Sequence, residues 1–215
     1  MFTKDTLAFL KELADNNNRE WFKANKKRFD ESVQAPALEF VREMAPRLKK
    51  ISKELTADDR KVGGSLMRIY RDVRFSKDKT PYNTHVAFRF VGGAGLGCYL
   101  GIEGDKITLG SGIWHPEKEP LLSIRNAIAA DGAGWAKASG IKGWELGGES
   151  LSRPPQGFDK EHPHINEIKR KDFVLFRNLK PTLASRPGFA DCVAKEYEET
   201  RPLLKFLAKA TGQKF

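Results

Sequence analysis

The chain has 215 residues, two cysteines and a formal net charge of +10. That length buries a sizeable core without covalent staples, which excludes the small disulfide scaffolds. Hydrophobic residues at 40% and charged residues at 31% exclude a wholly disordered chain, and the excess of 38 Lys and Arg over 28 Asp and Glu favours anionic partners without choosing among them.

The first residues mix charges with apolar side chains and lack the apolar run of a signal peptide, and no window approaches the ~18 apolar residues of a membrane span. A cytoplasmic protein without a membrane partner is expected. Cys98 and Cys192 stand far apart with no His or Cys at metal-site spacing, so they read as free thiols, and no metal centre is expected.

In chain order, Leu7, Leu10, Leu13 and Ala14 follow a Thr3 cap at helical spacing, and Asn16, Asn17 and Asn18 interrupt the pattern. A second helix from Asn18 or Arg19 turns Trp21, Phe22, Phe29 and Val33 inward. A third begins near Pro36 and presents Phe40, Val41, Met44, Leu48, Ile51 and Leu55 at three- and four-residue steps, with Lys49 and Lys50 on its solvated face.

From Val62 the period changes to two. Val86, Phe88 and Phe90 alternate with Ala87 and Arg89, and the stretches 98–102 and 106–113 read as a hairpin around Glu103, Gly104 and Asp105. Pro116 opens a helical pattern through Ile128, and a short helix holds Trp135 before Gly140. A Gly-rich hairpin around Gly147 and Gly148, a short helix over 162–171 and a strand over 173–176 follow. The end reads as one helix over 189–210, kinked at Pro202. The expectation is a single α+β domain over 1–215, with a helical part to about residue 57 and a mostly antiparallel sheet with further helices from about residue 62.

The densest chemistry lies in Arg68 to Tyr82, with cations at positions 68, 71, 74, 77 and 79 and carboxylates only at Asp72 and Asp78. Gly63 and Gly64 before it, its β-branched and aromatic content and Pro81 after it suggest a strand followed by a loop. On such a strand Arg68, Tyr70, Asp72 and Arg74 share one face, while Arg71 falls on the apolar face and needs a bulge or a buried carboxylate. Arg68 and Arg74 offer forked donors for a phosphate or carboxylate, with Asp72 holding a guanidinium in place and Lys77 and Lys79 adding movable charges. Tyr82 is a candidate stacking or hydroxyl group, and His85 a candidate acid or base. The alternative is an internal Arg and Asp lattice that ties the segment to its neighbours.

The stretch RIYRDVRFSKDKTPY at Arg68 to Tyr82 resembles the signature of a bacterial family of uncharacterised proteins known only as a domain of unknown function. Asn17, Asn18, Arg19, Trp21 and Phe22, and later Leu151, Pro154, Gly157 and Phe158, resemble the same family. The resemblance implies an intact member and carries no activity, substrate or cofactor. Asn83 departs from it, standing where a basic residue is expected.

Elsewhere, His115 precedes a helix start that favours anions, and Arg125 lies on that helix. His162 and His164 straddle Pro163 and point apart too readily for a metal pair. The glycine runs lack the order of a phosphate-binding loop.

The functional expectation is therefore an anionic or phosphorylated ligand bound through Arg68, Arg71, Asp72, Arg74, Lys77, Asp78, Lys79 and Tyr82. Phosphoester or nucleotide chemistry would use His85 or His115 as proton carrier, with Asp72 and Asp78 orienting groups or weakly holding Mg²⁺. No other cofactor is indicated. The competing readings are a nucleic-acid binder, with Tyr70, Phe75 and Tyr82 stacking on bases and a positive surface reaching Lys49 and Lys50, and an interaction module whose Arg and Asp residues are structural.

Overall fold

A computed structural model of the chain describes residues 2–215. Helix α1 (Lys4–Asp15) starts at a capping box in which Thr6 N donates to Thr3 Oγ1 at 3.4 Å and Thr3 N donates to Thr6 Oγ1 at 3.0 Å. Asn16 ends it, and Asn18 caps α2 (Arg19–Ala24) by accepting from Trp21 N at 2.9 Å. Asn17, between them, is left free for a distant partner. Helix α3 (Lys26–Phe29) runs through a π-helical stretch, Asp30–Gln34, into α4 (Ala35–Ile51). Phe9, Phe22, Phe29, Val33, Phe40 and Met44 from these helices are all buried, so the helical spacing in the sequence locates one face of the core.

The other face is a five-stranded sheet of β1 (Val86–Val91), β2 (Leu96–Ile102), β3 (Ile107–Ile113), β4 (Glu145–Gly147) and β5 (Phe173–Leu179), ordered β1-β2-β3-β5-β4. All neighbours are antiparallel, and β2 and β3 form the expected hairpin, with Ile102 opposite Ile107. Helices α5 (Lys118–Ala130), α6 (Gly132–Ser139), α7 (Ile165–Ile168), α8 (Phe189–Glu199) and α9 (Arg201–Ala210) complete the chain. The fold is α+β, and its buried apolar side chains form one continuous cluster from Phe2 to Ala208.

Four local expectations are corrected. The chain between Val62 and His85 forms no named strand. Only its start runs beside β1, where Arg89 N donates to Ser65 O at 2.8 Å and Met67 N to Ala87 O at 2.8 Å. The terminal helix is two helices broken at Thr200, because Pro202 cannot donate into the helix that precedes it but suits the first turn of the next. The Thr200 hydroxyl meets the buried Ser111 hydroxyl at 2.6 Å, which fixes the break against β3. Gly147 and Gly148 do not turn a hairpin of their own, since β4 pairs with the distant β5. The helix expected over 162–171 shrinks to Ile165–Ile168. Cys98 is buried, with its thiol pushed up to about 12 by desolvation, and Cys192 is partly buried; both are free.

Candidate functional site

Residues 68–83 form an irregular hairpin. Arg71 N donates to Pro81 O at 2.9 Å and Asn83 N to Ile69 O at 2.7 Å, so Tyr70 faces Tyr82 across the base. The tip is shaped by local polar bonds that compete with a strand: Arg74 N reaches Asp72 Oδ1 at 3.3 Å, and Thr80 N reaches Asp78 Oδ1 at 2.9 Å. Asn83 closes the base a second time by donating from Nδ2 to Arg68 O at 3.2 Å.

This hairpin separates the cations that sequence spacing grouped together. Arg74 Nε and Nη2 grip Asp72 Oδ1 and Oδ2 at 3.0 and 2.7 Å, a forked pair that holds the Asp72 carboxyl below the usual range. Arg71 Nη1 donates to Asp78 Oδ2 at 2.5 Å and to the Thr80 hydroxyl, so its carboxylate partner is an exposed neighbour within the loop. The Thr80 backbone bond, followed by Arg71, lowers Asp78 to about 2. Each carboxylate proposed for Mg²⁺ thus faces a guanidinium. Lys79 Nζ donates to Val73 O at 2.9 Å, and the Lys77 ammonium projects into solvent without a partner among the described residues.

Tyr82 is an anchor in the core. It is 5% exposed and stacks on Phe22 with ring centroids 4.1 Å apart, which removes its faces from any ligand. Asn17 grips its backbone from both sides, accepting from Tyr82 N at 3.1 Å and donating to Tyr82 O at 2.9 Å. Asn17→Ala is expected to cost about 1–2 kcal/mol, because both half-buried main-chain groups lose their partner. Urea unfolding should show a lower midpoint with an unchanged slope.

Arg68 behaves differently from the other arginines of the segment. Its guanidinium has neither hydrogen bond nor ion pair among the described residues. It lines a cleft of about 360 Å³ between the N-terminal helices and the 61–70 segment. Phe22, Phe29, Val33 and Ala37 form one wall, and Leu66, Ile69 and Val86 form the other. Lys61, Lys26, Tyr70 and His85 border it with Arg68. Lys26 is paired with Asp30, whereas Lys61 is unpaired among the described residues. Lys61 is presented by a turn that closes through Ser65 N donating to Asp58 O at 2.7 Å. Gly63, at φ +74°, provides the left-handed residue that this turn requires.

Burial depresses the His85 imidazole below its ordinary value of 6.5, with Glu103 opposing more weakly. His85 therefore enters the cleft near neutral pH as an uncharged hydrogen-bonding group. Because its folded value lies below its unfolded value, the unfolded chain binds more protons in mild acid. Its contribution to stability is complete above about pH 6.5 and declines as the pH falls from there through the folded value. His85→Asn should flatten this part of a stability profile measured between about pH 5 and 7.

His115 is elsewhere. His85 precedes β1 at the end of the sheet where Ile102 and Ile107 pair, and His115 follows β3 at the opposite end. The length of these strands places the two about 20 Å apart. The His115 backbone adopts φ +46°, and both its N (2.8 Å) and its Nδ1 (3.1 Å) meet Oδ1 of the fully buried Asp172. Arg125, buried on α5, donates from Nη2 to Arg170 O at 3.0 Å and does not join either histidine. His164 N donates to His162 Nδ1 at 3.1 Å, and no group of three or more metal-ligating side chains gathers among the described residues. Lys50 lies thirteen residues beyond Ala37 on α4, about 20 Å from the cleft wall. Sequence reasoning missed Lys61 and the apolar walls, whose only signal is the helical spacing of Phe22, Phe29, Val33 and Ala37.

A family model described as Conserved hypothetical protein (DUF2461) matches residues 5–206. No curated protein matches the chain. Among the described residues, no helix is long and apolar enough to cross a membrane.

Proposed function

We propose that this chain, which belongs to that family of conserved hypothetical proteins, binds an amphipathic anion in the cleft beside Arg68. The observation that carries the reading is the unpartnered Arg68 guanidinium at the mouth of an apolar slot, in a segment whose other arginines are neutralised by Asp72 and Asp78. The slot is within the volume range of small-ligand sites, and its walls favour a flat apolar body. Arg68 and Lys61 would hold a phosphate or carboxylate, and His85 would accept or donate one hydrogen bond. A phosphoester reaction in this cleft would draw its proton carrier from His85, because His115 stands at the far end of the sheet.

Naphthyl phosphate tests the reading, with naphthol and inorganic phosphate as halves of the same molecule. At about 100 times its Kd the intact probe is expected to add about 2.7 kcal/mol, several degrees in Tm, while each half adds little. Equal effects from inorganic phosphate, or none from the intact probe, would refute it. Release of naphthol during incubation would extend the reading to catalysis.

A further inference from the structure

Resting on this cleft reading, we infer that the anion is one unit of a single-stranded nucleic acid, with a base in the cleft and the strand continuing over the hairpin tip. A free metabolite needs nothing beyond the slot, yet the protein presents more. Phe75, at the tip, is 96% exposed, and the Arg74 guanidinium lies 5.9 Å from its ring centroid. Lys77 stands two residues on without a partner. Four of the large exposed apolar side chains, Val62, Met67, Tyr70 and Phe75, fall on this one segment of the described chain.

An exposed aromatic ring flanked by cations is the arrangement that stacks a base while neighbouring charges meet phosphates. Tyr70 borders the cleft and Phe75 lies five residues further along, at most about 17 Å of extended chain, so a strand of a few nucleotides spans both. A duplex does not fit, because a base must leave the stack to enter the slot or lie on Phe75, and the hairpin is neither a helix nor a regular ribbon for a groove.

The test compares thymidine monophosphate, oligothymidylate and oligouridylate of about 10 nucleotides, and a duplex of the same length, at several salt concentrations. The oligonucleotides are expected to bind at least about tenfold more tightly than the monophosphate. Three phosphate contacts from Arg68, Lys61 and Lys77 give a log–log salt slope of about −2. Phe75→Ala, which removes a fully exposed ring, should weaken the oligonucleotides about tenfold and leave the monophosphate unchanged. A preference between the two oligonucleotides reads the 2′-hydroxyl and the thymine 5-methyl group together, and either order of preference supports the inference. If the monophosphate binds and the oligonucleotides bind no more tightly, or Phe75→Ala changes nothing, the strand is wrong and the cleft survives. Duplex binding as tight as single-strand binding also overturns the inference. If neither naphthyl phosphate nor any nucleotide binds, the cleft reading falls with it.

Discussion

Tyr82→Ala is expected to lower stability by about 3–5 kcal/mol, the cost of removing a large aromatic side chain from a core that cannot close over the gap. The ring stacks on Phe22, approaches Tyr70 at 5.4 Å and stands over a backbone clamped by Asn17. Its loss also frees the base of the hairpin, so 68–83 should lose protection from amide exchange beyond the global effect. Tyr82→Phe separates the anchor from a ligand group. The hydroxyl makes no hydrogen bond among the described residues, so phenylalanine should stay within about 0.5 kcal/mol of wild type and retain anion binding. Denaturant unfolding of both variants, followed by a binding assay on the phenylalanine variant, checks each part. A stable alanine variant, or a phenylalanine variant that folds but does not bind, would return Tyr82 to the site.

Arg68→Ala should do the opposite. Its guanidinium is solvent-facing and unpaired, so stability should change by no more than about 0.5 kcal/mol. Removing a charge-assisted bond to the anion is expected to weaken naphthyl phosphate by about 1.5–3 kcal/mol, roughly 10-fold to more than 100-fold. Arg68→Lys should recover part of this, because lysine keeps the charge and loses the fork. Arg74→Ala provides the contrast. Its fork is occupied by Asp72 away from the slot, so binding of the small probe should barely change. Calorimetric titration of the three variants reads all of these together. Equal losses for Arg68→Ala and Arg74→Ala would mean that the segment acts through its overall charge.

Much of the helical framework was legible because its signals are local. Thr3 and Asn18 are caps that any reader of the chain can find, and Phe22, Phe29, Val33 and Phe40 mark one face by spacing alone. The β2 and β3 hairpin was legible for the same reason, with a polar turn between two apolar runs. The 68–76 segment misled because its composition favours a strand, while Asp72 and Asp78 bond to nearby backbone amides and Pro81 withholds a donor. The break itself follows from Pro202, which the sequence shows as a kink, but the Thr200 bond to Ser111 that fixes it against β3 is tertiary, and no local pattern records it. At the site, the unusual chemistry of Arg68 to Tyr82 was visible, but the division of labour within it was not. Spacing cannot show that Arg71 and Arg74 are held by Asp78 and Asp72, or that Phe29 and Val33 arrive from another element to wall the slot beside Arg68.

The most direct measurement is a crystal structure of the full chain with naphthyl phosphate bound. The ring should lie between Phe29 and Leu66, with its phosphate oxygens within about 3 Å of the Arg68 guanidinium and Tyr82 still stacked on Phe22. A phosphate held instead by Arg71 and Arg74 with their carboxylates released, or a ring bound outside the cleft, would contradict the assignment.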